Sequence, residues 1–309
     1  MRVFLTGGAG FIGSNLVKRL VRDGYEVVVL DNFVTGRLAN VEEVADAIEI
    51  VRGDVRNLHD VEKAAKGAEG VVHLAALIDV AESVEKPRLY LDVNVQGTLN
   101  VLEAARQAEV FIFASSAAVY GKPVKLPICE NHPLNPLSPY GATKVAGEAL
   151  VAAYAATRGF RHVILRLFNV YGPNQSKTYA GVVTEFMRRT LRGEPPIIYG
   201  DGTQTRDFIF VDDVVEYFAR AFAIEKVSGV YNVGWGKGVS ISELANVVTL
   251  TLGRPELKPV YKPPRPGDVK HSVADISKTC RDFGYRPKVQ LKDGLKRVAD
   301  ALTSNAKNI

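Results

Sequence analysis

The chain is poor in sulfur and in histidine: its 309 residues include 2 cysteines, 2 methionines and 5 histidines. Cys129 and Cys280 stand far apart and lack metal-ligand spacing, so neither a disulfide framework nor a metal site is expected. No apolar stretch approaches the ~20 residues of a membrane span. The first strand-like run begins at Arg2, which leaves no room for a secretory signal. The expectation is a cytoplasmic protein with no membrane partner. Dense basic runs are missing as well. The net charge of +5 is scattered along the chain, which argues against a nucleic-acid partner and suits a phosphorylated small ligand. No repeat or low-complexity segment is evident. What remains is an ordinary composition, 47% hydrophobic and 24% charged, enough for one large core or two modest ones.

Against that plain background the N-terminus is specific. Arg2 to Thr6 reads as a strand and runs straight into Gly7-Gly8-Ala9-Gly10-Phe11-Ile12-Gly13-Ser14, followed by a helical pattern from Asn15 to Arg22. Glycines in such a turn let the backbone approach a pyrophosphate, and the helix start offers unpaired N–H groups to the anion. Gly8, Gly10 and Gly13 fit one dinucleotide-binding spacing; Gly7, Gly10 and Gly13 fit another. A second strand, Glu26 to Asp31, ends in an acid about 20 residues beyond the glycines, where an adenosine ribose needs an acceptor. A carboxylate there repels a 2′-phosphate, so NAD is expected over NADP.

Further apolar runs at Ile48–Arg52, Gly70–Leu74, Val110–Ala114 and Val163–Leu167 alternate with helical stretches. Continuous Val/Ile runs of this kind read as strands buried on both faces of a parallel sheet. The fold class is α/β: a doubly wound parallel Rossmann sheet of six strands, with a smaller mixed α/β substrate-binding lobe. The nucleotide domain is expected over 1–167 plus 208–236, and the second lobe over 168–207 plus 237–309.

The strand at Phe111–Phe113 delivers Ser115 and Ser116 to the sheet edge, and Tyr140 and Lys144 follow four residues apart, on one face of a helix. Tyrosine at its usual pKa of about 10 is a poor base, and a neighbouring ammonium favours the phenolate. The helix start after Ser138-Pro139 adds a positive dipole end. With Thr6–Ser14, Asp31-Asn32, Gly53–Val55, His73–Ala76, Asn94–Thr98, Ser115–Gly121, Ser138–Lys144, Arg166–Gly172 and Thr205–Asp207, the chain resembles the extended short-chain dehydrogenase/reductases of the NAD-dependent sugar epimerase/dehydratase family over essentially its whole length.

That resemblance implies Ser116 as the hydroxyl on the sugar O4, Tyr140 as the acid/base and Lys144 as its partner. It places Gly7, Gly10, Phe11, Ile12, Gly13, Asp31, Asn32, Asp54, Val55, Leu74, Ala75, Ala76 and Asn94 around NAD, with Tyr140 and Lys144. Substrate contacts implied with Ser116 and Tyr140 are Asn169, the arginines Arg206 and Arg265, Asp268, and Ser272 at a gatekeeper position where a small residue admits N-acetylated sugars. Sugar dehydratases carry Asp-Glu after the serine pair; Ala117-Ala118 here lacks that acid and base, which favours simple inversion at C4. The implied activity is interconversion of UDP-glucose and UDP-galactose through a transient 4-keto sugar with bound NAD, in a homodimer paired through helices near 88–107 and 138–157. UDP-glucuronate 4-epimerisation, or another nucleotide-sugar epimerisation or reduction, shares these residues. A non-catalytic NAD-binding regulator is the reading from another class, and the intact Tyr–Lys pair argues against it.

Overall fold

A computed structural model describes residues 1–175, 181–264 and 269–307. Strands β1 (Arg2–Thr6), β2 (Glu26–Asp31), β3 (Ile48–Arg52), β4 (Gly70–His73), β5 (Val110–Ser116) and β6 (Arg161–Leu167) come first. Three short strands follow, β7 (Asn169–Tyr171), β8 (Ile197–Tyr199) and β9 (Thr205–Phe210), before β10 (Gly229–Val233) returns to the large sheet. That sheet has the order β3-β2-β1-β4-β5-β6-β10, with every neighbouring pair parallel. Six strands were expected, and β10 adds a seventh beside β6.

The apolar runs are continuous because each strand feeds two cores. Val3 and Leu5 of β1 face one apolar cluster and Phe4 the other; β2 divides Val27 and Val29 from Val28 and Leu30 in the same way. The chain winds helices over both faces: α1 (Phe11–Arg22), α2 (Leu58–Ala65), α3 (Val80–Glu85), α4 (Pro87–Leu91), a π-helical turn at Asp92–Gln96, α5 (Gly97–Ala104) and α6 (Pro139–Arg158). Later helices are α7 (Val182–Leu191), α8 (Val211–Ala223), α9 (Ile241–Thr251), α10 (Ser277–Phe283) and α11 (Leu291–Lys307). Strand order reverses between β1 and β4, and such switch points open a crevice at the carboxyl ends of the strands.

A smaller sheet is centred on β9, which pairs with β7, with β11 (Gly238–Ser240) and with β13 (His271–Ser272); β12 (Val260–Lys262) pairs with β8. The boundary expected between 207 and 208 falls inside β9, whose whole length lies in the smaller sheet, whereas α8 packs on α1 and β10 joins the large sheet. Asp207 pins the turn after β10: its buried carboxylate accepts the backbone N–H groups of Trp235, Gly236 and Ala274 at 2.6, 2.9 and 3.1 Å. Burial pushes this carboxyl up to about 6. Among the described residues no helix is long and apolar enough to cross a membrane.

Candidate functional site

A cleft of about 780 Å³ follows the carboxyl edge of the large sheet, from the glycine turn after β1 to the ends of β5 and β6. The turn settles which glycines do which work. Gly7 has φ +73°, a conformation costly for any residue with a Cβ, and Gly10 is the N-cap of α1. A Cβ on Gly13 would lie 2.1 Å from the Gly7 carbonyl oxygen. Gly8 packs against Val29 and is not part of the cleft lining, whereas Gly7, Gly10 and Gly13 line it. The N-terminal N–H groups of α1 have no side-chain cap, which is the cradle a pyrophosphate fills.

Asp31 closes the next part of the cleft. Its carboxylate accepts Ala9 N–H at 2.9 Å and Phe33 N–H at 2.8 Å, and burial raises its pKa. Each oxygen keeps a lone pair for a ribose hydroxyl. Asn32, Val55, Leu74, Ala75, Ala76, Phe11 and Ile12 line the cleft. Asp54 does not line it. Its carboxylate is gripped by Arg56 at 2.9 and 2.8 Å and by Asn32 at 2.9 Å, which holds it well below the usual carboxylate range. Beside Gly53 and Val55 the cleft is lined by Arg56, which sequence reasoning missed; its only signal was adjacency to Gly53–Val55.

Asn94 also stands behind the wall. From the π-helical turn its amide bonds both backbone groups of Leu77 (2.8 and 2.9 Å) and the Thr143 hydroxyl (3.0 Å), tying the loop after β4 to α6. A second chain runs beside it. The Thr98 hydroxyl donates to Asn94 O at 2.6 Å, so its oxygen accepts from His73 Nε2–H at 2.9 Å. His73 Nδ1 then accepts the Thr6 hydroxyl at 2.7 Å, and the Thr6 oxygen accepts Ala75 N–H at 3.1 Å. The imidazole is thereby a fixed neutral tautomer, and burial pushes it down to about 3, helped by the Lys144 charge.

Ser116, Tyr140 and Lys144 meet at the far end of the cleft. Ser138 caps α6, its Oγ accepting Gly141 N–H at 3.1 Å, and Pro139 occupies the first turn, so Tyr140 is presented at the helix start. The Ser116 hydroxyl accepts Ala118 N–H at 3.1 Å and lies beside the Tyr140 phenol in the cleft lining. Burial raises the Tyr140 pKa, and the neighbouring Ser116 hydroxyl opposes that rise. Lys144, one turn on, donates to Ala114 O at 2.8 Å and lies 5.0 Å from the Phe113 ring centroid. Burial pulls it down to about 8, while the Glu148 carboxylate pulls upward. A phenol, a hydroxyl and an ammonium so placed can move one proton to and from a substrate hydroxyl.

On the substrate side Asn169 lines the cleft, its amide donating to Asp207 O at 3.1 Å. Arg206 and Ser272 are paired neighbours on β9 and β13 and lie outside the cleft lining. Arg265 and Asp268 lie outside the described residues. No cluster of His, Cys, Asp or Glu able to hold a metal occurs among the described residues.

The model of the NAD dependent epimerase/dehydratase family matches residues 3–234. The chain belongs to this family. Over 307 residues it is 39% identical to a UDP-glucose 4-epimerase of Mycolicibacterium smegmatis, covering 97% of this chain and 98% of the relative. A crystal structure of UDP-glucose 4-epimerase with UDP-glucose, from Thermotoga maritima, has a TM-score of 0.94 at 37% identity and covers 99% of this chain and 100% of that one. A UDP-N-acetylglucosamine 4-epimerase from Methanobrevibacter ruminantium has a TM-score of 0.93 at 34% identity, covering 98% of each chain. UDP-glucuronic acid 4-epimerase and dTDP-glucose 4,6-dehydratase are neighbours of similar likeness, so the family leaves the sugar open. The protein is an NAD-dependent enzyme of this epimerase/dehydratase family, and its glycine turn and Asp31 fit the cofactor.

Proposed function

We propose that this epimerase/dehydratase family member interconverts UDP-glucose and UDP-galactose by inverting C4, and also accepts UDP-N-acetylhexosamines. The observation that carries the reading is the convergence of Ser116, Tyr140 and Lys144 at one end of the cleft, with Ala117-Ala118 following where elimination would need an acid and a base. In this reading Ser116 orients the sugar O4, and Tyr140 removes its proton and later returns one. Lys144 supplies the positive charge that favours phenolate, and its position permits a hydrogen bond to the cofactor ribose. NAD, when bound, supplies reversible oxidation at C4. With no acid–base pair beyond the serines, the 4-keto sugar has no route other than reduction on one face or the other.

A neutral hexose is favoured over a uronate because, of the two cations among the described lining residues, Arg56 is held on Asp54 and Lys144 is committed to the Tyr140 pair in this reading. Arg206 and Arg265 are the diphosphate anchors in this reading, since guanidinium offers a planar donor fork to phosphate. Ser272, small and next to Arg206 in the pairing of β13 with β9, is assigned the gatekeeper position. A homodimer through the helices of residues 88–107 (α4, the π-helical turn and α5) and 138–157 (α6) belongs to the same proposal; Val84 and Leu91 stand exposed on the α3–α4 side.

The test is incubation with UDP-galactose, UDP-N-acetylglucosamine and UDP-glucuronate separately, without added reductant, with NMR detection of the C4 epimer. Conversion of the first two without accumulating NADH supports the proposal. Conversion of UDP-glucuronate alone replaces it with the uronate reading. No conversion of any, with NAD bound, points to other nucleotide sugars or to a non-catalytic role.

A further inference from the structure

Beneath the Tyr140–Lys144 pair lies a buried ion pair that the chemistry above does not use. Glu148 is one turn beyond Lys144 on α6, so Tyr140, Lys144 and Glu148 share a face. Ser115 and Arg166 are side by side in the register of β5 with β6, and both reach this carboxylate. The Ser115 hydroxyl donates to Glu148 Oε1 at 2.5 Å; Arg166 donates through Nε at 2.9 Å and through Nη2 at 2.6 Å. The side chains of Arg166 and Glu148 are 5% and 7% exposed. Arg166 Nη1 is spent as well, donating to the Tyr120 hydroxyl and to Glu130 O, both at 2.9 Å. Both carboxylate oxygens of Glu148 are held by donors, and a buried ion pair of this kind is costly to desolvate.

We propose that Glu148, clamped by Arg166 and Ser115, is the positioning residue that holds Lys144 as an ammonium beneath Tyr140. This rests on the assignment of Tyr140 and Lys144 as the proton-transfer pair. The groups facing Lys144 are few. On α6 they are Tyr140 and Glu148; β5 contributes the Ala114 carbonyl and the Phe113 ring; β4 contributes His73, which is neutral; β6 contributes Arg166, behind the carboxylate. Glu148 is therefore the anion that opposes desolvation of the lysine, in keeping with the downward pull of burial and the upward pull of Glu148 on that ammonium. Two charges one helical turn apart at an effective dielectric near 20 shift a titration by about one unit or more.

The experiment is ¹³C NMR titration of Lys144 in lysine-labelled holoenzyme, its resonance assigned by loss in Lys144→Met. In Glu148→Gln the midpoint falls by about one unit, and the high-pH limb of the kcat profile falls with it. Glu148→Asp restores both toward wild type. If Glu148→Gln does not fold because Arg166 is left unpaired, the double variant Glu148→Gln/Arg166→Met removes both charges and reads the same quantity, with a smaller fall in the same direction. An unchanged Lys144 midpoint in the folded variant overturns the proposal and leaves the pair a structural clamp. That result would not touch the assignment of Tyr140, which fails separately if Tyr140→Phe keeps its turnover.

Discussion

Tyr140 is buried where a phenol resists ionisation, yet the neighbouring Ser116 hydroxyl opposes that rise, and one turn on lies a lysine whose own pKa burial has lowered to about 8. Removing only the phenolic oxygen separates chemistry from binding. Tyr140→Phe is expected to lower kcat by ~10²–10⁴ while NAD and nucleotide-sugar affinities stay within a few-fold, read by a coupled epimerase assay beside calorimetric titration. Lys144 makes a pH prediction of definite sign. Its folded value near 8 lies below the unfolded value of about 10.4, so between them the unfolded chain binds more protons and stability rises with pH. Below pH 8 the buried ammonium costs stability in full. Lys144→Met should therefore stabilise the cofactor-free protein by ~2 kcal/mol at pH 7, after allowing for the lost hydrogen bond to Ala114 O. Urea denaturation should show this advantage shrinking from pH 8 and crossing zero just below pH ~10; a pH-independent difference would contradict it.

At the scale of elements, the reactive end of the cleft depends on how α6 begins. Ser138 satisfies Gly141 N–H, Pro139 needs no partner for the N–H it lacks, and Gly159 with φ +79° closes the far end. Ser138→Ala should cost ~1 kcal/mol, seen as a lower urea midpoint at unchanged m-value, and should lower kcat through the loosened first turn that carries Tyr140. These features were legible in the sequence because caps and helix spacings are local. The glycine turn was legible as a class; the two spacings differ only at Gly7 and Gly8, of which Gly7 has a positive φ and lines the cleft while Gly8 packs against Val29. What the sequence concealed is long-range. Asn94 and Asp54 were read as cofactor residues by position; not legible were their bonds to Leu77 and Thr143, and to Arg56 and Asn32, nor the place of Arg56 in the cleft wall. Glu148 meets Arg166 across 18 residues and Ser115 across 33, and no local pattern marks such a pair. β9 has the apolar run of a large-sheet strand, yet its partners β7, β11 and β13 come from distant segments.

On the scale of the whole molecule, the two sheets are coupled through residues that also border the cleft. Asn169 on β7 lines the cleft and bonds Asp207 O on β9; Asp207 in turn fixes the turn that follows β10 of the large sheet. A ligand filling the cleft contacts groups from both sheets and binds the folded chain alone, so NAD must stabilise the whole fold by RT ln(1 + [L]/Kd), ~2.7 kcal/mol at a hundredfold excess over Kd. For a chain of this size that raises Tm by about 5 °C. Gly13→Ala tests whether this gain depends on the glycine turn. The added Cβ collides with the Gly7 carbonyl oxygen, forcing α1 away from β1 and spoiling the anion cradle. The variant should lose ~1–3 kcal/mol of intrinsic stability and, separately, most of the NAD-dependent rise in Tm. Thermal scans with and without NAD distinguish the two losses. A lower baseline with the full increment retained would show that NAD does not depend on the close approach of Gly13 to Gly7, and the cofactor assignment of the turn would have to be withdrawn.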